Sequence, residues 1–417
     1  MGLLSTRSSN TLPPRVVVAM LCTLVMSVSA HAADWDLSLD LRGVDSDGRT
    51  SFLENGQGKL RFDQDHEGLQ LGRLRGAWTQ PLGEVFAAHV DASVWDDNDK
   101  NPIDLTEAFL EYRPYPSHGL RSRVRLGAFY PPMSLENRAQ GWETPYTLTP
   151  SAISSWIGEE IRTIGLEGQV DWLGTRTGHD FDLQLTAALF GWNDPAGTMI
   201  AAHGFAFSDR QTTLFGRVGA PAPADSPKKE LFHEIDGRPG FYVGAQARYL
   251  DRAVLNVLHY DNRADPAAYS PSIRDFAWET KFNAAALRVE TASGWTAMAQ
   301  WLDGDTYIAP DGMWFEWGFN SRSALLAKQV GPHMLTARYD EFRVVFEQDE
   351  EGPGNEDGHA WTVAYSFDTG KSWRFMLEWL RVRSNVTARP VLLNEPALAT
   401  ETKVELGVRY MLSGTMK

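Results

Sequence analysis

The 417-residue chain contains a single cysteine, Cys22, close to the N-terminus. Everything downstream is cysteine-free, which excludes disulfides and thiolate metal sites. An exported chain without disulfides fits a bacterial envelope better than a disulfide-stapled secreted domain. Long apolar runs are also missing. No stretch after residue 32 reaches 18 consecutive apolar residues, so no transmembrane helix is expected. Cations are scarce relative to anions, with 39 Lys and Arg against 54 Asp and Glu. The resulting net charge of −15 argues against a nucleic-acid partner. The usual signatures of catalysis are absent: there is no G-x-S-x-G, H-E-x-x-H or G-x-x-x-x-G-K-[ST]. The ten histidines are scattered. Neither enzymatic activity nor a bound cofactor or metal is expected.

What is present begins with a leader. Arg7 and Arg15 precede an apolar run from Val16 to Ala30, and Ala30-His31-Ala32 forms a small-x-small cleavage site. Residues 1–32 read as a signal peptide, cleaved after Ala32. Losing its two arginines, with no acid, takes the charge from −15 to −17.

From residue 33 the dominant pattern is period-two alternation, the mark of strands with one apolar and one polar face. Trp35, Leu37, Leu39 and Leu41 oppose Asp34, Asp36, Ser38, Asp40 and Arg42. Phe181, Leu183, Leu185, Ala187 and Leu189 oppose Asp180, Asp182, Gln184 and Thr186. In the first half, strands are expected near 34–42, 68–79, 85–95, 104–113, 121–130, 159–172, 180–192 and 241–250. The second half adds 253–262, 274–290, 295–303, 313–328, 334–346, 359–367, 373–383 and 400–412. Segments 193–240 and 313–328 have room for an extra hairpin.

Connections alternate between tight turns, such as 251–252 and 291–294, and long segments, such as 43–67, 131–158 and 193–240. With 15 Trp, 12 Tyr and 20 Phe to furnish aromatic girdles, this predicts an all-β fold. It is a transmembrane antiparallel up-and-down barrel of about 16 strands over 33–417, with both termini and the short turns in the periplasm. The location expected is a Gram-negative outer membrane, among lipid and lipopolysaccharide. Soluble carbohydrate-binding proteins are also Trp-rich, so a soluble or surface-attached β-rich carbohydrate-binding protein is the competing reading.

Candidate pore residues follow from parity. Val124, Leu126, Ala128 and Tyr130 share one face of a strand, and Arg121, Arg123 and Arg125 share the other. Arginine facing lipid costs roughly 2–4 kcal/mol at the midplane, so these three are expected to point into the lumen. There they either guide anions or pair with lumen carboxylates. The following loop, 131–158, is long enough to fold inward and narrow the lumen. Arg138 and Arg162 are its candidate constriction cations, with Glu136, Glu143, Glu159 and Glu160 as partners. Acidic loops around Asp96, Asp97 and Asp99 and around Glu347–Asp357 are oxygen-rich. They could hold Ca²⁺ or Mg²⁺, but lack a spaced calcium-loop signature and read as solvated.

Three segments carry a family likeness. Leu105-Thr106-Glu107-Ala108-Phe109-Leu110-Glu111-Tyr112 comes first. Val124-Arg125-Leu126-Gly127-Ala128-Phe129-Tyr130 follows, running into Pro131-Pro132-Met133-Ser134-Leu135-Glu136. Gly158-Glu159-Glu160-Ile161-Arg162 ends the series. Their order resembles the phosphate-selective porin O and P family over residues 59–172. Tyr130 stands where that family has lysine, and Met133 where it has phenylalanine. The resemblance implies a 16-stranded homotrimeric porin, a passive diffusion channel for small hydrophilic solutes with an anion- or phosphate-preferring pore.

Overall fold

The computed structural model of the chain describes residues 32–96, 103–138, 141–219, 228–349, 352 and 354–416. The leader and part of each acidic loop, including Asp97, Asp99, Glu350 and Glu351, lie outside the described residues. Sixteen antiparallel strands close into one barrel. They are β1 Ala33–Ser46, β2 Gly68–Pro81, β3 Phe86–Val94, β4 Ile103–Tyr112, β5 Leu120–Phe129, β6 Thr163–Trp172, β7 Phe181–Gly191 and β8 Gly240–Tyr249. The circuit continues with β9 Ala253–Asp261, β10 Glu279–Glu290, β11 Trp295–Ile308, β12 Phe315–Val330 and β13 His333–Phe346. It ends with β14 Glu356–Thr369, β15 Trp373–Val386 and β16 Leu398–Met416. Each strand pairs with its neighbours in the chain, and β16 returns to β1 with Leu37 opposite Leu412 and Leu39 opposite Tyr410. Closure leaves no edge with unpaired backbone groups, the condition for crossing lipid with strands.

All sixteen expected strands are present, and several are longer than their alternation suggested. The segment 193–240 contains no extra hairpin among its described residues; it carries a short helix, Thr198–His203. Residues 159–162 belong to the end of a helix and its exit, not to β6. A two-residue ladder, Tyr269–Ser270 with Asp275–Phe276, precedes β10.

Outside, apolar side chains meet across strands. Val363 faces Trp379, Tyr365 faces Leu377 and Phe367 faces Phe375, and these residues are largely exposed. Such cross-strand pairs are the unit of sheet stability, and an exterior of Leu, Val and Trp suits lipid rather than water. At the short-turn end, aromatic pairs encircle the barrel. Phe86 lies against Tyr112 at 4.8 Å between ring centroids, Trp172 against Phe181 at 5.5 Å and Trp373 against Tyr410 at 4.5 Å. This is the girdle of an interface between lipid and water. The competing soluble reading does not fit this exterior.

Inside, much of the barrel is filled. From β7 to β13 the inward residues of the upper wall are aromatic. Phe190 stacks on Tyr260 at 5.0 Å, Tyr260 on Phe282 at 4.7 Å, and Trp156 packs against Phe282 at 5.4 Å and Phe319 at 4.9 Å. Phe205 and Phe207 continue the cluster to Phe342. Glycines on neighbouring strands leave room for the rings: a Cβ on Gly304 would lie 2.5 Å from that of Phe282, and one on Gly358 would strike the Phe342 ring. The barrel thus encloses a dry core made by its own wall and the long connections folded into it.

Candidate functional site

The segment 131–162 rises from β5 and crosses the lumen. Its helix, Ala152–Glu160, starts at Ser151, whose hydroxyl accepts the Ser154 N–H at 3.3 Å. Ile153, Trp156 and Ile157 recur at helical spacing and enter the aromatic core. On the β13–β15 side the segment is fastened by buried charge. Arg338 donates to Glu136 at 3.0 Å, to Asp340 at 2.7 Å and to the carbonyls of Thr149 and Pro150. Glu378 accepts the Leu148 and Thr149 N–H groups at 2.6 and 3.1 Å. On the opposite side the segment reaches the wall formed by β1, β2 and β16.

That wall carries arginines at one level. Asp40 on β1 is opposite both Arg73 on β2 and Arg409 on β16, with Arg42 and Arg75 one step away. Arg409 donates to Asp40 at 2.7 Å and to Glu143 Oε2 at 2.5 Å. Arg73 donates to Glu143 Oε1 at 3.2 Å and to the Gly141 carbonyl at 2.8 Å. Gly141 has φ +68°, and a Cβ there would lie 2.3 Å from Arg75 Nε, so only glycine lets the segment approach so closely. Arg42 donates to Asp40 at 3.0 Å and to Asp209 Oδ2 at 2.6 Å, while Arg61 donates to Asp209 Oδ1 at 3.0 Å. Arg75 binds Asp91 through Nε at 2.7 Å. Four strand arginines thus meet the strand acids Asp40, Asp91 and Glu405, and two loop carboxylates, Glu143 and Asp209, bridge them further, Asp209 also to Arg61. Burial pushes the Asp209 carboxyl up, but Arg42, Arg61 and Lys403 outweigh it and hold it well below the usual carboxylate range.

Open space follows this wall. A cavity of about 470 Å³ toward the short turns is bordered by Asp36, Arg75, Glu143, Lys371 and Arg409. A second, of about 200 Å³, lies toward the long loops beside Arg61, Phe62, His66 and Asp96. Adjoining the first, through Glu143 and Arg409, is a space of about 20 Å³ also touched by Arg73 and Asp209, room for about one water. Arg73–Glu143–Arg409 lines that constriction, and Asp209, which lines it too, joins it to Arg42 and Arg61.

The cations singled out by sequence lie elsewhere. Arg121, Arg123 and Arg125 share the inner face of β5, in register with Asp171, Gln169 and Glu167 of β6. Arg121 donates to Asp171 at 2.6 Å, Arg123 to Gln169 at 2.6 Å and Arg125 to Glu167 at 2.8 Å. Arg138 contacts Tyr146 Oη at 3.3 Å and Glu290 at 3.7 Å. Arg162 is fully buried, 3.3 Å above the Tyr130 ring, and donates to the Thr212 carbonyl at 3.0 Å. It makes no ion pair among the described residues, and burial pushes its guanidinium down to about 9. Of the candidate partners, Glu143 serves Arg73 and Arg409, Glu136 serves Arg338, and Glu159 meets His203 at 3.1 Å.

Among the described residues one carboxylate cluster converges, away from the loops that sequence pointed to. Oxygen atoms of Asp194, Glu234 and Asp236 lie within 4.8 Å of one another. Burial and the adjoining Glu234 raise Asp194 to about 8. It accepts the Ile235 and Asp236 N–H groups at 2.5 and 3.3 Å.

No protein-family model matches this sequence, and no curated protein resembles it in sequence. Solved structures do resemble it in shape. The outer membrane channel DcaP of Acinetobacter baumannii superposes with a TM-score of 0.55 at 12% identity, over 92% of this chain and 99% of that one. The anion-selective porin from Comamonas acidovorans gives 0.48 at 12% identity, over 91% and 99%. OmpT of Vibrio cholerae, an outer membrane protein, gives 0.48 at 10% identity, over 92% and 99%. At these identities the DcaP likeness speaks for the fold alone: the chain is built as a closed 16-stranded antiparallel β-barrel of that architecture.

Proposed function

We propose that the protein is an outer-membrane channel for small anionic solutes, with the route running between the crossing segment and the β1–β2–β16 wall. The apolar exterior and the aromatic girdle support a place in lipid, with lipopolysaccharide on the long-loop side. The observation that carries the route is the row Arg61, Arg42, Arg73, Arg409 and Arg75, which borders one cavity at Arg61 and the other at Arg75 and Arg409. Rings or rows of arginine favour anions in a narrow pore. Elsewhere among the described residues the aromatic core and the Arg338 anchorage fill the lumen toward β13. The carboxylates already seated on the arginines favour a general anion preference over one restricted to phosphate.

Reversal potential in planar bilayers under a KCl gradient tests this reading. Chloride selectivity is expected, reduced in Arg73→Gln and Arg409→Gln. A cation-selective or non-conducting wild-type barrel would overturn it.

A further inference from the structure

Glu143 and Asp209 share a geometry that sets them apart from the other buried acids. Each belongs to a long connection, not to a strand. Each spends both carboxylate oxygens on different arginines: Glu143 on Arg73 and Arg409, Asp209 on Arg61 and Arg42. In each bridge the acid is the accessible partner. The Glu143 side chain is 19% exposed and that of Asp209 16%, whereas the four arginines range from 0 to 12%. Glu143 also borders both the 470 Å³ cavity and the constriction, so a solute arriving from the short-turn side meets it first.

We propose that these two-arginine cradles are binding sites for the carboxylate group of a small organic acid, and that Glu143 and Asp209 occupy them as built-in competitors. The proposal rests on the channel reading and names the chemistry of its solute. The exchange conserves charge. When a solute carboxylate takes the place of Glu143, Arg73 and Arg409 stay paired, and no buried cation is left uncompensated, the outcome that makes breaking a buried pair costly. The displaced Glu143 side chain swings into the adjoining cavity, where water is available. Planar bidentate acceptors match guanidinium donors, and the Gly141 carbonyl on Arg73 fills the side from which a bulkier tetrahedral anion would need another donor. The Glu136–Arg338 pair, by contrast, is wholly buried and tied to two further carbonyls. It holds the segment and does not exchange.

The test is acetate binding to the purified, folded full-length barrel in detergent, measured by equilibrium dialysis with radiolabelled acetate and, separately, phosphate. Glu143→Gln keeps the size of the side chain and removes the competitor, so acetate affinity should rise at least tenfold. Asp209→Asn offers the same gain at the second cradle. Adding Arg409→Gln to Glu143→Gln should abolish the gain. Unchanged acetate affinity in both single variants overturns the proposal, and so does an equal or larger gain for phosphate. Heat-modifiable migration verifies that each variant is folded. Binding is read without a bilayer, so failure of conductance and failure of this site are separate results.

Discussion

The two sides of the lumen solve the problem of filling a barrel in opposite ways. Toward β7–β13 the upper inward wall is rich in aromatic residues, packed edge and face on Trp156, Phe205 and Phe207. Toward β1, β2 and β16 they are charged and close to cavities. A packed aromatic side chain has nothing to trade places with, so its removal leaves a void. An arginine bridged by a loop carboxylate can accept another anion with the same number of hydrogen bonds. One side therefore fixes where the crossing segment lies, and the other borders the proposed anion route.

The strongest way to break this contrast is from the dry side. Trp156 lies at the centre of the cluster and its indole N–H donates to Glu160 at 2.5 Å. Trp156→Ala should cost about 3–5 kcal/mol of local packing. The segment 131–162 should become protease-sensitive, and single-channel conductance should rise with weaker ion preference. Resistance equal to wild type would mean that the aromatic core does not hold the segment. Arg338→Ala should act the same way at a similar size, about 3–5 kcal/mol, because Glu136 and Asp340 are left buried without their cation.

On the wet side the effect should fall on selectivity with little change in docking. Arg73→Gln and Arg409→Gln each remove one of the two donors to Glu143 and leave the β13 anchorage untouched. The reversal potential should move toward that of an unselective pore, while the protease pattern of the crossing segment stays that of wild type. A variant that loses both would erase the division of labour between the two sides.

The barrel was legible because its exterior obeys one rule throughout, and turn lengths gave its direction. The route was harder to find. On β2 the alternation breaks at Gly72: Asp40 pairs with Arg73 but Leu41 with Leu71. That bulge moves Arg73 and Arg75 to the inner face and blurs the parity that made Arg121, Arg123 and Arg125 conspicuous. Glu143 was named among the acids of its loop, but its partners lie on strands distant in sequence. The sequence does carry a signal for the dry side. On β7 the inward series Asp182, Gln184 and Thr186 continues to Ala188 and Phe190, and on β10 Thr280 is followed by Phe282, Ala284 and Ala286. Strands apolar on both faces at one end need something packed inside.

A smaller effect should appear with pH in the connection that carries Asp209. A carboxyl in an undocked loop titrates near 3.9, whereas Asp194 is raised to about 8, first by burial and then by Glu234. Burial likewise raises Glu234. The docked loop therefore prefers the protonated form. Its stabilisation is complete below pH ~4, falls as pH rises and is spent above about 8. Hydrogen exchange in 192–219 and 228–239 should accelerate from pH 5 to 8 beyond its intrinsic pH dependence and then level, and Asp194→Asn should flatten the excess. An excess that grows instead as pH falls would contradict this assignment.

The smallest effect is expected where sequence first looked. Arg123 is held between Gln169 and Glu167 on β6, with Glu111 at 3.9 Å. Its strand lies away from the cavities that border Arg61, Arg73 and Arg409. Partly exposed ion pairs of this kind contribute about 0–1 kcal/mol, and both neighbours of Arg123 on its face keep partners of their own, Arg121 with Asp171 and Arg125 with Glu167. Arg123→Ala should therefore shift reversal potential far less than Arg73→Gln under the same KCl gradient. A shift as large as that of Arg73→Gln would move the route to the β5–β6 side and turn the present contrast between the two halves of the lumen around.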